Sequence, residues 1–289
     1  MYNVAIIKRA AMVCAAIFTA SALCSCGNSD KDGATGLLEQ AQSLYENGEY
    51  AHSMAVLDSL KAKYPEEIEL RKKGLHLLVL NQEGMIKTEI AQNDSLIAVL
   101  EKENEGMSGK FKYVKHPDMV EGYYIHKSIA GETEKTDRTV IEPRIDENDM
   151  FYLVSYLTGH DIKHIGVKLS AKSGASVSTA TVPYDEAQNY RYKSGGVSYE
   201  IVTFYNNQCD TLGRFAADNA NTPLKVTFQG KKSYSVQLDS KYAKAMTETY
   251  RYATNKCKGK AAVKNRMLLE SKLQLAQKQI EQTKVTEPQ

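Results

Sequence analysis

The apolar positions fall into three regimes along the chain. From Thr35, Leu37, Leu38, Ala41, Leu44 and Tyr45 recur at helix spacing. Asn47-Gly48 breaks the run, and Gly48 suits the left-handed end of a helix. A second period, Tyr50, Met54, Leu57, Leu60 and Tyr64, stops at Pro65. Two such helices cannot bury their shared face alone, so a third must cover it, most simply 67–81 through Ile68, Leu75, Leu78 and Val79. From Gln82 to about Glu105, Ile86, Ile90, Asn93, Ile97 and Leu100 alternate spacings of four and three, a coiled-coil seam with one polar position. The rhythm returns at Ala262, Arg266, Leu269, Leu273, Ala276 and Ile280. Each seam is too short to be stable as a lone helix. They are therefore expected to pair, and antiparallel, because the intervening chain then leaves and returns at the same end.

Between the seams the pattern changes. Gly106 to Gly109 reads as a linker, and from Phe111 to Leu238 the chain is rich in Tyr, Val, Ile, Thr and Gly. The predicted strands are Gly122–Ile129, Thr139–Ile145, Met150–Leu157, His164–Leu169, Ser176–Val182, Ser198–Tyr205, Leu224–Phe228 and Ser233–Leu238. Leu224, Val226 and Phe228 against Tyr234, Val236 and Leu238, joined by Gln229-Gly230-Lys231-Lys232, read as a hairpin. The stretch from Phe151 to Leu157 is apolar on both faces and should be central. A helix from Ser240 to Cys257 is expected to lie across the sheet.

Two stretches resemble known families. Ala41, Leu44, Tyr45, the Gly48-Glu49-Tyr50 turn, Leu57, Leu60 and Tyr64-Pro65 resemble one tetratricopeptide repeat, with Ser53 where that family usually has alanine. The match covers only Leu37 to Pro65, and the resemblance implies a protein partner. At the N-terminus, Lys8 and Arg9 precede an apolar run from Ala10 to Leu23, the length of a secretory signal core. Leu23-Cys24-Ser25-Cys26 then resembles the lipobox of bacterial lipoproteins. That resemblance implies cleavage before Cys26, a lipid on its thiol such as palmitate, and a membrane partner through the lipid. The expected address is the cell envelope, anchored to the outer membrane, with the periplasmic or surface face undecided. Residues 27–36 are polar and Gly-rich and read as a tether. Asp30 and Asp32 there resemble short acidic surface-export signals; the alternative is a solvated linker.

Of the 37 basic residues only Lys8 and Arg9 precede Cys26, so the remaining chain balances its 35 acidic residues. Nucleic acid as the main partner is thereby disfavoured. Acidic residues dominate from Glu39 to Glu105, whereas from Lys225 to Arg266 only Asp239 and Glu248 oppose the basic ones. The basic run is expected to pack on the acidic helices; contact with anionic lipid is the alternative. Of five cysteines, Cys14 and Cys24 leave with the signal and Cys26 carries the lipid. Cys209 and Cys257 remain, an even pair that raises a disulfide, with two separate core thiols as the alternative.

The chemistry-bearing residues assemble no known motif. His160, Asp161 and His164 have metal-ligand spacing but lack a third ligand and read as a polar turn. No nucleophile elbow, Walker loop or dinucleotide fingerprint occurs. Glu142 with Asp146, or Asp185 with Glu186, are pairs of the kind glycosidases use, here better explained as surface charge. Tyr123, Tyr124, Tyr152, Tyr156, Tyr184, Tyr190, Tyr192, Tyr199 and Tyr205 would form a ligand-stacking patch if exposed together; strand packing is the default, and the lack of tryptophan weakens a sugar reading.

The sequence therefore predicts an α+β protein: signal 1–25, tether 26–36, helical region 37–105, antiparallel β-domain (sandwich or barrel) 110–238, and C-terminal helices 240–283 pairing back on the N-terminal ones. The expected function is non-catalytic binding or scaffolding, without a cofactor or metal. The rivals are a glycan hydrolase with its site in the β-domain and a structural lipoprotein touching lipid or cell-wall polymer.

Overall fold

The computed structural model describes residues 29–117, 120–133, 135 and 137–284. The described residues fall into two compact units: one holds those up to Met85 and from Leu275 on, the other is Ile86–Gln274. Among them no helix is long and apolar enough to cross a membrane.

In the first unit α1 (Ser29–Glu46) and α2 (Tyr50–Lys63) form the expected hairpin, turned at Gly48 with φ +77°. The tether expectation is corrected from Ser29 on: residues 29–36 already belong to α1, and Ala34 is fully buried. Gly33 permits this, since a Cβ there would come within 2.3 Å of the Tyr64 hydroxyl. The covering helix is the start of α3 (Ile68–Ser108), which runs unbroken through the expected division near Gln82. Its contribution to the apolar cluster is Leu77, with Leu70, Leu78 and Leu80 partly buried. Ile68 and Leu75, expected inside, are more than half exposed. Ser53 has a use that alanine would lack. Its buried hydroxyl donates to Ala41 O at 2.7 Å and accepts from Asn81 Nδ2 at 2.9 Å, tying three helices together.

In the second unit ten strands form two antiparallel sheets. The larger has the order β1 (Phe111–Val114), β2 (Tyr123–His126), β3 (Val140–Ile145), β4 (Phe151–Thr158), β8 (Val197–Tyr205), β7 (Asn189–Ser194). The smaller has the order β10 (Ser233–Gln237), β9 (Leu224–Gln229), β5 (Gly166–Ala171), β6 (Ser176–Ser178). The register fixes which side chains share a face. Phe111, His126, Tyr124, Ile145, Phe151, Leu153 and Ser155 lie on one face of the large sheet. This face packs against α6 (Ser240–Thr283): Phe111 stacks on Tyr252 at 4.8 Å, and Phe151 meets Tyr250 edge-on at 5.3 Å. The small sheet adds Val167, Leu169, Val226 and Phe228 to the same core and turns Lys168, Lys225 and Thr227 outward.

The strand expectations hold for β3, β4, β8, β9 and β10 and are trimmed elsewhere. The strand from Gly122 ends at His126, whose ring accepts from the Ser128 amide and starts the one-turn helix α4 (Lys127–Ala130). His164 does not open a strand because its amide is bonded to Glu200. β1, β7 and α5 (Asp210–Asp218) were not predicted. β7 joins β8 through Gly195-Gly196, both at positive φ, a two-residue turn that glycine alone adopts cheaply. α5 lies close to α6: a Cβ on Gly213 would come within 2.3 Å of the Tyr250 ring.

The two seams pair antiparallel as expected. α6 is one continuous helix where a separate Ser240–Cys257 helix was expected. Leu100, Ala262, Leu269 and Ala276 are buried, and Ile86, Ile90, Ile97, Leu273 and Ile280 half-buried. Within the second unit Asn93 Nδ2 donates to Ala262 O at 2.6 Å, so the polar seam position pins the register. Arg266 meets Asp94 and Asn255 meets Glu103.

Candidate functional site

The expected signal 1–25, Cys26 and the first expected tether residues, up to 28, lie outside the described residues. Cys209 and Cys257 are free thiols, so the disulfide is not formed. Cys209 is buried behind β8, its Sγ 3.1 Å from Phe204 O, and burial pushes its pKa up to about 12. Cys257 sits on α6 with its Sγ 3.4 Å from Asp149 O. Of the two, Cys209 alone is a core thiol; Cys257 is half-buried.

The histidine turn is dismantled by its neighbours. The His160 ring lies on Tyr234, Asp161 pairs with Lys193 at 3.2 Å, and His164 points into the core. Among the described residues no group of three His, Cys, Asp or Glu is placed to hold a metal ion. Asp146 and Asp185 cap turns through backbone amides. Neither forms a catalytic pair with its neighbour.

Two polar clusters take shape only in the fold. The first ties the loop before β5 to β4 and β8 of the larger sheet. Ser155 Oγ lies 2.8 Å from His164 Nε2, and His164 Nδ1 lies 2.8 Å from Glu200 Oε2. The Lys163 and His164 amides also donate to Glu200. With the Nδ1 proton given to Glu200, Nε2 is an acceptor for the one Ser155 hydroxyl proton, for which Val202 O at 3.2 Å competes. Hydroxyl, imidazole and carboxylate thus stand in the order of a hydrolytic triad. Yet Ser155 and His164 are fully buried and Glu200 is 1% exposed, so no substrate atom reaches the hydroxyl. Burial lowers the His164 pKa against the pull of Glu200. Burial raises that of Glu200, but the hydrogen bonds from His164 outweigh it and the net shift is down.

Both shifts act in the same direction on stability. A base whose folded pKa is depressed contributes fully above its unfolded value, here 6.5, and that contribution is lost as pH falls through the folded value. Glu200 adds a second loss as pH falls below 4.5. The thermal midpoint should therefore drop from pH 7 to pH 5.5, and His164→Gln should flatten that part of the profile. A wild-type midpoint that holds or rises over the interval contradicts the assignment.

The second cluster occupies the face of the large sheet turned away from α6. The register sets Tyr123, Ile125, Glu142, Arg144, Tyr152, Val154, Tyr156, Tyr190, Tyr192, Tyr199 and Tyr205 on this side. Seven of the nine tyrosines singled out in the sequence therefore share a face, while Tyr124 is on the other, under Lys256. At the inner end Glu142 is fully buried. It accepts from Arg138 Nη1 at 2.5 Å and from Arg144 Nε at 2.6 Å. Arg138 lies over the Tyr156 ring at 3.9 Å and Arg144 over Tyr123 at 3.8 Å. Burial works against the charge of Arg144, but Glu142 prevails and holds its pKa above the ordinary range. Burial likewise raises the Tyr152 and Tyr156 hydroxyls, keeping them protonated and able to donate.

Toward β8 and β7 the face becomes accessible. Tyr190 and Tyr205 are each 44% exposed, and Tyr192 and Tyr199 are half-buried and stacked at 4.7 Å with 7° between their planes. Tyr205 stacks on Tyr152 at 5.4 Å. Between the tyrosine pair and Arg138 opens a cleft of about 110 Å³. The arrangement offers rings and hydroxyl donors over fixed cations; it holds no nucleophile beside a base. Compared with protein-family models, with curated proteins and with solved structures, the chain matches none.

Proposed function

We propose that the protein is a lipid-anchored binding lipoprotein of the bacterial envelope, using the tyrosine face of its larger sheet to hold an extracytoplasmic ligand. The observation that carries this reading is the contrast between the two polar clusters. The one ordered for catalysis is sealed in the core, and the one that reaches solvent is an aromatic face. Exposed tyrosines supply large contact area and a donor at low entropic cost. The anchor is an inference from Leu23-Cys24-Ser25-Cys26, and the helical hairpin offers a second surface for a protein partner.

The hydrolase reading has one observation in its favour, the order of Ser155, His164 and Glu200. The lipid-contact reading of the basic run is weakened because Lys256 and Lys260 both pair with Asp149, and Arg266 with Asp94 and Glu270. The test uses the full chain with isolated envelope glycans and with metabolic fatty-acid labelling. The account expects label that disappears in Cys26→Ala, and no released product. Product release abolished by Ser155→Ala would make the protein a hydrolase; label kept in Cys26→Ala but lost in Cys24→Ala would move the anchor to Cys24.

A further inference from the structure

We propose that the cleft between Arg138 and the Tyr192–Tyr199 stack binds a small oxyanion, the carboxylate or phosphate of a ligand whose body lies along the tyrosine face. This rests on the reading of that face as a binding surface and names the charged group it takes.

Three observations converge on the cleft. The first is charge. Two buried guanidiniums, Arg138 and Arg144, share one carboxylate, Glu142, which leaves a buried cation uncompensated within the cluster. Lys135, exposed, stands on the cleft's rim. The acidic residue in the lining, Glu200, has its carboxylate engaged by two amides and the His164 ring. The second is an unused donor. Arg138 is 8% exposed; its Nη1 bonds Glu142 and its Nη2 bonds Thr133 O, but its Nε is buried and makes no hydrogen bond. That unmet donor leaves the guanidinium's hydrogen bonding incomplete; Nε itself is sealed from solvent, so an oxyanion in the cleft would act on the accessible edge of the same guanidinium as a charge-assisted partner. The third is shape. The cleft is closed on one side by the parallel Tyr192 and Tyr199 rings and on another by Tyr156 under Arg138. At about 110 Å³ it admits a group of a few heavy atoms and not a whole ligand. The ligand's remainder must then lie over the tyrosines outside it.

The experiment titrates the full chain in detergent with glucuronate, glucose 1-phosphate and glucose at matched ionic strength, read by calorimetry and by the tyrosine ring signals in NMR. The two anions separate the carboxylate and phosphate sources. Saturable binding of either anion, at least tenfold tighter than glucose, supports the site. Lys135→Glu, an exposed change, should weaken it severalfold without altering the thermal midpoint, and Arg138→Gln should weaken it tenfold or more. Since Arg138→Gln also disturbs the Glu142 cluster, Lys135→Glu and Tyr192→Ser decide the matter if that variant does not fold. Glucose binding as well as the anions, no saturation by either anion, or unchanged affinity in both Lys135→Glu and Tyr192→Ser overturns the proposal. If the anions fail while Tyr190→Ser/Tyr205→Ser still lowers the retention of an unlipidated chain on envelope material, the binding reading stands and the oxyanion site falls.

Discussion

Glu142→Ala is expected to cost about 3–5 kcal/mol, because it leaves Arg138 and Arg144 facing each other in the sheet without their shared carboxylate. In a domain of this size that amounts to a fall in thermal midpoint on the order of 10 °C. Replacing the whole cluster with apolar residues of similar volume, Arg138→Met with Glu142→Leu and Arg144→Met, should cost less than the single change. A buried ion pair adds little net stability over well-packed hydrophobes, whereas a stranded charge is expensive. Midpoints from thermal unfolding of the two variants check this. A single substitution that unfolds no earlier than the triple one would show that the guanidiniums reach water. The cluster is retained, on this account, for what it presents to a ligand.

The second large effect concerns the paired helices. Leu269 is 2% exposed in the seam of α6. Burying a leucine is worth roughly 1.5–3 kcal/mol, and a carboxylate in its place adds the cost of an unpaired charge. Leu269→Asp should therefore cost at least about 3 kcal/mol, against less than about 0.5 kcal/mol for the exposed Lys272→Asp. Denaturant unfolding of the two variants gives the comparison. Equal small losses would make the end of α6 a free arm. The ion pairs across the seam, such as Arg266 with Asp94, are each worth about 0–1 kcal/mol and only bias a pairing that the apolar positions decide.

The helical seams were legible because a period of three and four over many residues has few other readings. Asn93 was legible as an exception, and its bond to Ala262 shows what the exception does. The central strand was legible from Phe151 to Leu157, where both faces are apolar. β7 was not, because its residues alternate tyrosine with Arg191 and Lys193 and its partner is set by the glycine turn that follows. α5 was hidden by its length: nine residues give too few periods to separate a helix from a loop. The tether was misread because Gly33 and Gly36 suggest flexibility, whereas Gly33 allows the close approach of Tyr64.

The candidate site was half legible. The tyrosines were recognisable as a set, but which of them share a face depends on strand register. Glu142 looked like surface charge because its two arginines, at 138 and 144, reach it only once the chain around β3 has folded. The Ser155–His164–Glu200 chain forms only once β4 and β8, far apart in sequence, pair and the loop carrying His164 folds onto them, which no local spacing encodes.

The most direct test is retention, on isolated envelope material, of a chain lacking residues 1–26, which no lipid can hold, with and without Tyr190→Ser/Tyr205→Ser. Both residues are exposed, so their removal should leave the thermal midpoint within about 1–2 °C. The account predicts that retention falls at least tenfold while Ser155→Ala, if folded, keeps it. Undiminished retention in the double variant would contradict the claim that the tyrosine face is the site.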